Sequence, residues 1–157
     1  MGFLEEGGYK RIDWKETSRS YPANTSSIRL VRHMIEEALG PGADDAMLIG
    51  SEFATNSVTH GPNAGKESDD DPEGTVLGII AGAGHLTPLE DIVFVADRSP
   101  KVPIVTVPDE TNLMDTHGKG LQLVQELSNR WGYDTGISTM FPGFKKVVYA
   151  VVPRKAA

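Results

Sequence analysis

The sequence predicts a single domain of the α/β class, more narrowly α+β, in which helices and strands share one core. Two observations lead to this prediction. Residues 44–60, like the helical segment before them, place apolar side chains at the three- and four-residue spacing of an amphipathic helix. Residues 91–96 instead form a near-continuous apolar run, which is typical of a buried strand. The 157 residues suffice for one core and show no internal repeat, so 1–157 is treated as one domain.

Three helices are predicted from their apolar spacing and their end signals. Asn24 or Thr25 caps the first helix, which Gly40 and the following proline end. Asp44 caps the second helix, which a Gly-Pro pair ends after residue 60. The third helix opens at residues 118–120 and presents leucine and valine side chains on one face.

Strands are predicted on both sides of these helices. Residues 1–8 are expected to be frayed, and the loose alternation in 9–21 indicates an edge strand. The apolar run from Val93 to Val95 places its strand in the centre of the sheet. Besides the edge strand, four strands are expected at residues 75–83, 91–96, 131–137 and 145–152, and the apolar run belongs to the second of these. Turns are expected near 84–88 and 142–143.

Two long segments are predicted as loops. Residues 63–74 are polar and include three consecutive aspartates, but the spacing does not match a calcium-binding loop, so a solvated loop is favoured. Residues 98–117 contain three prolines and no helical period. A structureless segment of that size in a small domain is usually functional.

The composition limits the classes of function. The net charge of -7 argues against nonspecific binding to nucleic acid or to an anionic membrane as the main task. The absence of cysteine excludes a thiolate nucleophile, a disulfide and a zinc–thiolate site. No apolar run approaches the length of a membrane span, and the N-terminus lacks the pattern of a secretion signal, so a cytoplasmic location is the default expectation.

The most informative stretch is the second helix, where Glu52, Asn56 and His60 recur every four residues and form one narrow stripe. Apolar side chains flank this stripe, so the acid and the amide lie at the border between core and solvent. Two oxygen-bearing side chains one helical turn apart at such a border can bind a hard cation and accept a proton. The alternative is that they mark only the edge of an amphipathic helix.

Two further features follow in sequence order. Asp97 ends the buried strand at the mouth of the long loop, and Gly118, Lys119 and Gly120 begin a helix. Glycines there let a ligand approach the backbone, and a helix N-terminus presents N–H groups to an anion. Each of these features suits a different part of a nucleotide. A carboxylate can accept a hydrogen bond from an exocyclic amine, a glycine-rich helix start can bind phosphates, and an asparagine can ligate the Mg²⁺ that bridges phosphates.

This order of motifs resembles the GHKL ATPases with the Bergerat nucleotide-binding fold, and most of all the small anti-sigma factor/serine-protein kinase domains of the actinobacterial type. SEFATNSVTH at residues 51–60 is similar to the family's N box, VADRSP at 95–100 to its first glycine box, and HGKGLQLV at 117–124 to its second. Residues 127–132 extend the likeness, which covers roughly 20–152.

The resemblance implies a two-layer α/β sandwich, with helices on one face of a mixed, mostly antiparallel sheet, and a site for ATP and Mg²⁺ between the helices and a lid. It assigns Asn56 to Mg²⁺, Glu52 to the role of catalytic base and Asp97 to the adenine amine. His60 closes the N box, and we interpret it as structural.

The resemblance also makes residues 98–117 the lid of the nucleotide site. It brings Gly118, Lys119 and Gly120 to the phosphates and adds Ser99 and Leu121 to the cofactor-binding set. The Lys119 side chain either touches a phosphate or is solvated.

The sequence departs from the family pattern in three places. Ser99 stands where the first glycine box usually has a glycine, which narrows the approach to the base and removes easy access to positive φ. Lys145 or Lys146 stands where a threonine is expected just after Gly143, which removes a hydroxyl near the adenine. The acidic segment 63–74 is looser than usual.

The implied function is that of an ATP-dependent protein serine kinase that phosphorylates a protein antagonist of the STAS type and regulates a sigma factor, as a possible homodimer. The alternative is a partner-binding anti-sigma module whose nucleotide site is weak or non-catalytic, which Ser99 and the missing threonine favour. A sensor histidine-kinase domain is disfavoured because no phospho-acceptor helix precedes the motifs and His33 lies inside the first helix. The remaining hypothesis is a globular domain in which the three motifs occur by coincidence.

Overall fold

The structure of the protein, a computed structural model, describes Phe3 and residues 17–60, 78–99, 119–137 and 141–155. The described helices are α1 (Thr25–Leu39), α2 (Asp44–His60) and α3 (Lys119–Leu127). The described strands are β1 (Ser18–Tyr21), β2 (Ile79–Thr87), β3 (Glu90–Asp97), β4 (Arg130–Asp134) and β5 (Lys146–Pro153). The predicted loop at 63–74 lies outside the described residues, as do most of the predicted lid and most of the predicted strand at 9–21.

The five strands form one sheet in the order β1-β2-β3-β5-β4, and every pairing among them is antiparallel. β3 is central, as its apolar run predicted. The domain is therefore of the α+β type, and the described strands lack the parallel pair that a mixed sheet requires. The β2–β3 hairpin shows one reason: only Pro88 and Leu89 separate its strands, and a two-residue connection permits only an antiparallel pair.

The prediction of a strand at 75–83 was wrong at its C-terminal end, because Gly84, which follows it, continues the strand and does not form a turn. β2 continues through Gly82 and Gly84 to Thr87. A Cβ on Gly82 would lie 2.4 Å from a ring carbon of Phe94 on the neighbouring strand, so this glycine makes room for a core side chain. The turn predicted at 84–88 is therefore shorter and shifted toward the C-terminus, and it consists of Pro88 and Leu89.

All three described helices pack on one face of the sheet. Their ends agree with the predicted signals except at the start of α2, which is displaced by one residue. The Asn24 side chain caps α1 by accepting from the Ser27 N–H at 3.2 Å, and Gly40 follows the helix with a φ of 80°. α2 begins at Asp44 itself, because the Ala43 carbonyl already accepts a hydrogen bond at 2.8 Å. Asp44 therefore lies in the first turn and is not the cap. None of the described helices is long and apolar enough to cross a membrane.

Side-chain alternation along β3 separates two buried clusters. Val93 and Val95 belong to the cluster on the helix side, together with Ile35 of α1 and Ile49 of α2. Phe94 lies between them in sequence and belongs to the cluster on the opposite face. Both faces of the strand are buried, which explains why its sequence is a continuous apolar run without polar alternation.

Phe3 belongs to the second cluster, so the expectation that residues 1–8 are frayed fails at the one of them that the structure describes. Phe3 is fully buried, and its ring centroid lies 4.9 Å from that of Phe94 and 5.7 Å from that of Tyr149. Its backbone N–H donates to the Asp134 carboxylate. Burial of one aromatic side chain contributes about 2 kcal/mol toward holding this residue on the sheet.

Candidate functional site

The first part of the candidate site lies where α2 packs against the start of α3. Glu52 of α2 is half-buried, and its carboxylate lies directly against Gly120, the second residue of α3. A Cβ at Gly120 would come within 2.3 Å of Glu52 Oε2 and 3.1 Å of Glu52 Cδ. A glycine leaves this space open, so two of the sequence motifs meet here. A carboxylate near a helix N-terminus is also electrostatically favourable, because the first N–H groups of a helix carry partial positive charge.

The second part of the site is the carboxylate of Asp97 at the end of β3. Its Oδ2 accepts a hydrogen bond at 2.7 Å from the hydroxyl of Ser57, which lies on α2. Its Oδ1 accepts from the Ser99 N–H at 3.0 Å and from Lys146 Nζ at 2.9 Å. The Asp97 side chain is 4% exposed. Three internal donors therefore satisfy this buried carboxylate, and one of them ties the third sequence motif to α2.

Lys146 is the residue that neutralises this region. The register of the β3–β5 pair sets Asp97 opposite Lys146, whose side chain is 9% exposed. The Lys146 Nζ also lies 3.4 Å from the Ser99 carbonyl oxygen. Lys145 is exposed, and its backbone N–H donates to the Asp97 carbonyl at 2.9 Å. Of the two lysines at the position where threonine was expected, Lys146 is therefore the one whose side chain enters the site.

Arg98 fixes the chain immediately after Asp97. Its guanidinium carbon lies 4.3 Å from the centroid of the Phe144 ring, and its Nη1 donates to the Gly143 carbonyl at 3.0 Å. Gly143 has a φ of 86°, which a glycine adopts without strain, and a Cβ there would lie 2.5 Å from Arg98 Nη1. The turn before β5 and the end of β3 are therefore held together by a cation–π contact and a hydrogen bond.

Ser99 fits the site without backbone strain. It is 2% exposed, and none of the described non-glycine residues has a positive φ. The expected loss of access to positive φ is therefore not felt at this position.

For the other predicted site residues that it describes, the structure gives a position in the fold. Asn56 is half-buried on α2, and Lys119 is the first residue of α3. Leu121 is 5% exposed in the helix-side core, so its side chain packs and leaves only its backbone for a ligand. Gly118 and residues 100–117 lie outside the described part of the chain. Among the described residues, no group of three or more acidic or histidine side chains is placed to hold a metal ion.

The sequence interpretation missed two contacts of the site. Ser57 was not considered as a partner of Asp97, although it follows Asn56 directly on the same helix. Lys146 was recognised only as a missing threonine and not as a cation for Asp97. One signal was available for Lys146, because it is the charged residue at the head of the apolar run 147–152. A lysine in that place must either reach solvent or find a buried partner.

Comparison with protein-family models, with curated proteins and with solved structures returned no match for this chain. The resemblance described above therefore depends on the residues of the three motifs and on the contacts between them.

Proposed function

We propose that the protein is an ATP-binding regulator of the anti-sigma factor/serine-protein kinase kind, with a nucleotide site of the Bergerat type on the helix side of the sheet. The observation that carries this proposal is the convergence of the three motifs on α2. Glu52 lies against Gly120 at the start of α3, and Ser57 donates to Asp97 at the end of β3. These segments are far apart in sequence, and a chance likeness in three separate segments does not require them to meet.

The chemistry of the converging residues supports phosphoryl transfer from ATP to a serine hydroxyl of a protein. Glu52 is a half-buried carboxylate that would accept the proton of the hydroxyl. The start of α3 would meet phosphate oxygens through its backbone N–H groups. Because the Glu52 carboxylate lies at the same helix start, phosphates there require a counter-cation. Asn56, one turn along α2, supplies an oxygen ligand of the type that Mg²⁺ accepts together with phosphate oxygens.

A titration of the purified protein with Mg-ATP, followed by calorimetry, tests the proposal. We expect magnesium-dependent binding that Asn56→Ala weakens by about tenfold or more, because a metal ligand is lost. Thr59→Ala is the matched control, since Thr59 is exposed on the same helix, and it should leave binding unchanged. Glu52→Ala should retain binding and lose phosphate transfer to a protein substrate. Equal turnover in Glu52→Ala would contradict the role of the base.

A second candidate function is an anti-sigma module that holds a sigma factor without turning over ATP. The buried ion pair between Asp97 and Lys146 favours it, because the carboxylate that would receive the adenine amine is already satisfied. Capture of a purified sigma factor without phosphate transfer to any co-purified antagonist would support this candidate. Transfer that depends on Glu52 would exclude it.

A further inference from the structure

The carboxylate of Asp97 has little capacity left for a ligand. A carboxylate offers about four acceptor positions. Ser99 and Lys146 occupy both positions of Oδ1, and Ser57 occupies one position of Oδ2. The side chain is 4% exposed, so the remaining position is also nearly closed to solvent.

An incoming amine cannot readily displace Lys146 from this carboxylate. The pair of ammonium and carboxylate joins two full charges at 2.9 Å, whereas the amino group of a purine is neutral. Both donors make a charge-assisted hydrogen bond to the carboxylate, but only the ammonium adds the attraction between two full charges. Lys146 also cannot swing away easily, because the β3–β5 register places it directly opposite Asp97 and its side chain is 9% exposed.

We propose that Lys146 is an internal competitor for the base-recognising carboxylate of Asp97, so that the nucleotide site does not distinguish a 6-aminopurine from a purine without that amino group. This inference rests on the proposed nucleotide site and goes further by naming the specificity of that site. The wild-type protein binds purine nucleoside triphosphates through their phosphates and Mg²⁺. Lys146 is the specificity-determining residue, and its removal makes the carboxylate selective for adenine.

The experiment compares two ligands on three proteins by calorimetry. The ligands are ATP and purine riboside triphosphate, which is ATP without its 6-amino group, each with Mg²⁺. The proteins are wild type, Lys146→Met, which retains an aliphatic side chain of similar length without the charge, and Lys146→Arg, which retains the cation. Thermal melting of each protein confirms that it is folded at the titration temperature.

We expect wild type and Lys146→Arg to bind the two ligands within about threefold of each other. Lys146→Met should prefer ATP by about tenfold or more, the value of one hydrogen bond to a charged acceptor. A tenfold preference for ATP in the wild type would overturn the inference but would still support a nucleotide site. This outcome needs only the wild-type protein, so it does not depend on whether any variant folds. A folded Lys146→Met protein without a gained preference would also overturn it. Failure of every protein to bind either triphosphate would overturn the proposed nucleotide site itself.

Discussion

The two ends of β3 each carry a buried aspartate paired with basic side chains, yet they have different surroundings. At the hairpin end, Asp91 Oδ1 contacts His85 Nδ1 at 2.7 Å and Arg154 Nε at 2.9 Å. The side chains of His85 and Arg154 are 51% and 30% exposed. At the other end, Asp97 is paired with Lys146, whose side chain is 9% exposed.

The partners at the two ends also come from different parts of the fold. Arg154 donates to the Thr87 carbonyl at 2.8 Å, so the Asp91 cluster ties the β2–β3 hairpin to the end of β5. Asp97 instead reaches across to Ser57 on α2, the helix that also brings Glu52 to α3. A buried acid with a cation is therefore not by itself a sign of function. The Asp97 end is distinguished by its contact with the helix on which the sequence motifs converge.

The largest expected difference between the two ends is in stability. Lys146→Met leaves the buried Asp97 charge without its cation and should lower the free energy of unfolding by about 3–5 kcal/mol. Urea denaturation of the variant and of the wild type measures this change. A loss below about 1 kcal/mol would show that the Asp97 end is as solvated as a surface ion pair.

The next largest effect separates catalysis from folding at the α2–α3 contact. A methyl group in Gly120→Ala would push the Glu52 carboxylate aside, which should reduce phosphate transfer by about a hundredfold if Glu52 is the base. Stability should change little, because the displaced atoms are the end of a flexible side chain and alanine favours a helix by about 1 kcal/mol over glycine. Gly136→Ala is the control, since a Cβ there would meet nothing within 4 Å. Full activity in Gly120→Ala would separate Glu52 from the chemistry.

A smaller effect is expected at the hairpin end. Arg154→Met removes one of two basic partners of Asp91, while His85 remains in contact, and Arg154 is partly exposed. The free energy of unfolding should fall by about 1 kcal/mol, as for partly solvated ion pairs, without any change in nucleotide binding. Urea denaturation and a Mg-ATP titration measure the two quantities. A loss equal to that of Lys146→Met would remove the distinction between the two ends.

The smallest effect concerns Glu90, also at the hairpin end, and depends on pH. The Asn129 amide and the Arg130 guanidinium, which donate to Glu90 Oε2 at 2.8 Å and 2.9 Å, hold the pKa of Glu90 below its ordinary value. A carboxyl group with a lowered pKa in the folded state stabilises the protein above the pKa of the unfolded chain. That stabilisation is lost as the pH falls through the folded pKa.

Glu90→Gln should therefore lower the free energy of unfolding by about 0.5 kcal/mol at pH 7, and the difference from wild type should vanish toward pH 3. Glu126→Gln, at an exposed position on α3, is the control. A difference that grows on acidification would have the wrong sign and would contradict the assignment.

The elements with strong periodicity could be predicted from the sequence, because their patterns are local. The Asn24 cap and Gly40 define α1 through contacts within a few residues. The central position of β3 followed from its apolar run, since only a strand buried on both faces lacks polar alternation. The C-terminal end of β2 was missed because Gly84 is a turn signal in the sequence, whereas in the structure it pairs with Ile92 of β3.

The residues of the candidate site were predicted from the sequence, but the contacts between them were not. Glu52 and Asp97 were recognisable from residue type and spacing, whereas their contacts depend on how α2 sits on the sheet and on strand register. The pairing of Asp97 with Lys146 is fixed by the β3–β5 register, and a shift of one residue would turn Lys146 to the opposite face. No local pattern in the sequence specifies that register.

Backbone amide chemical shifts during a Mg-ATP titration would locate the nucleotide site, because they report on both ends of β3 at once. We expect the amides of Asn56, Ser99 and Gly120 to shift together with one affinity, while those of His85 and Asp91 stay in place. Shifts confined to the hairpin end, or no shifts at millimolar Mg-ATP, would contradict a nucleotide site formed by α2, α3 and the end of β3.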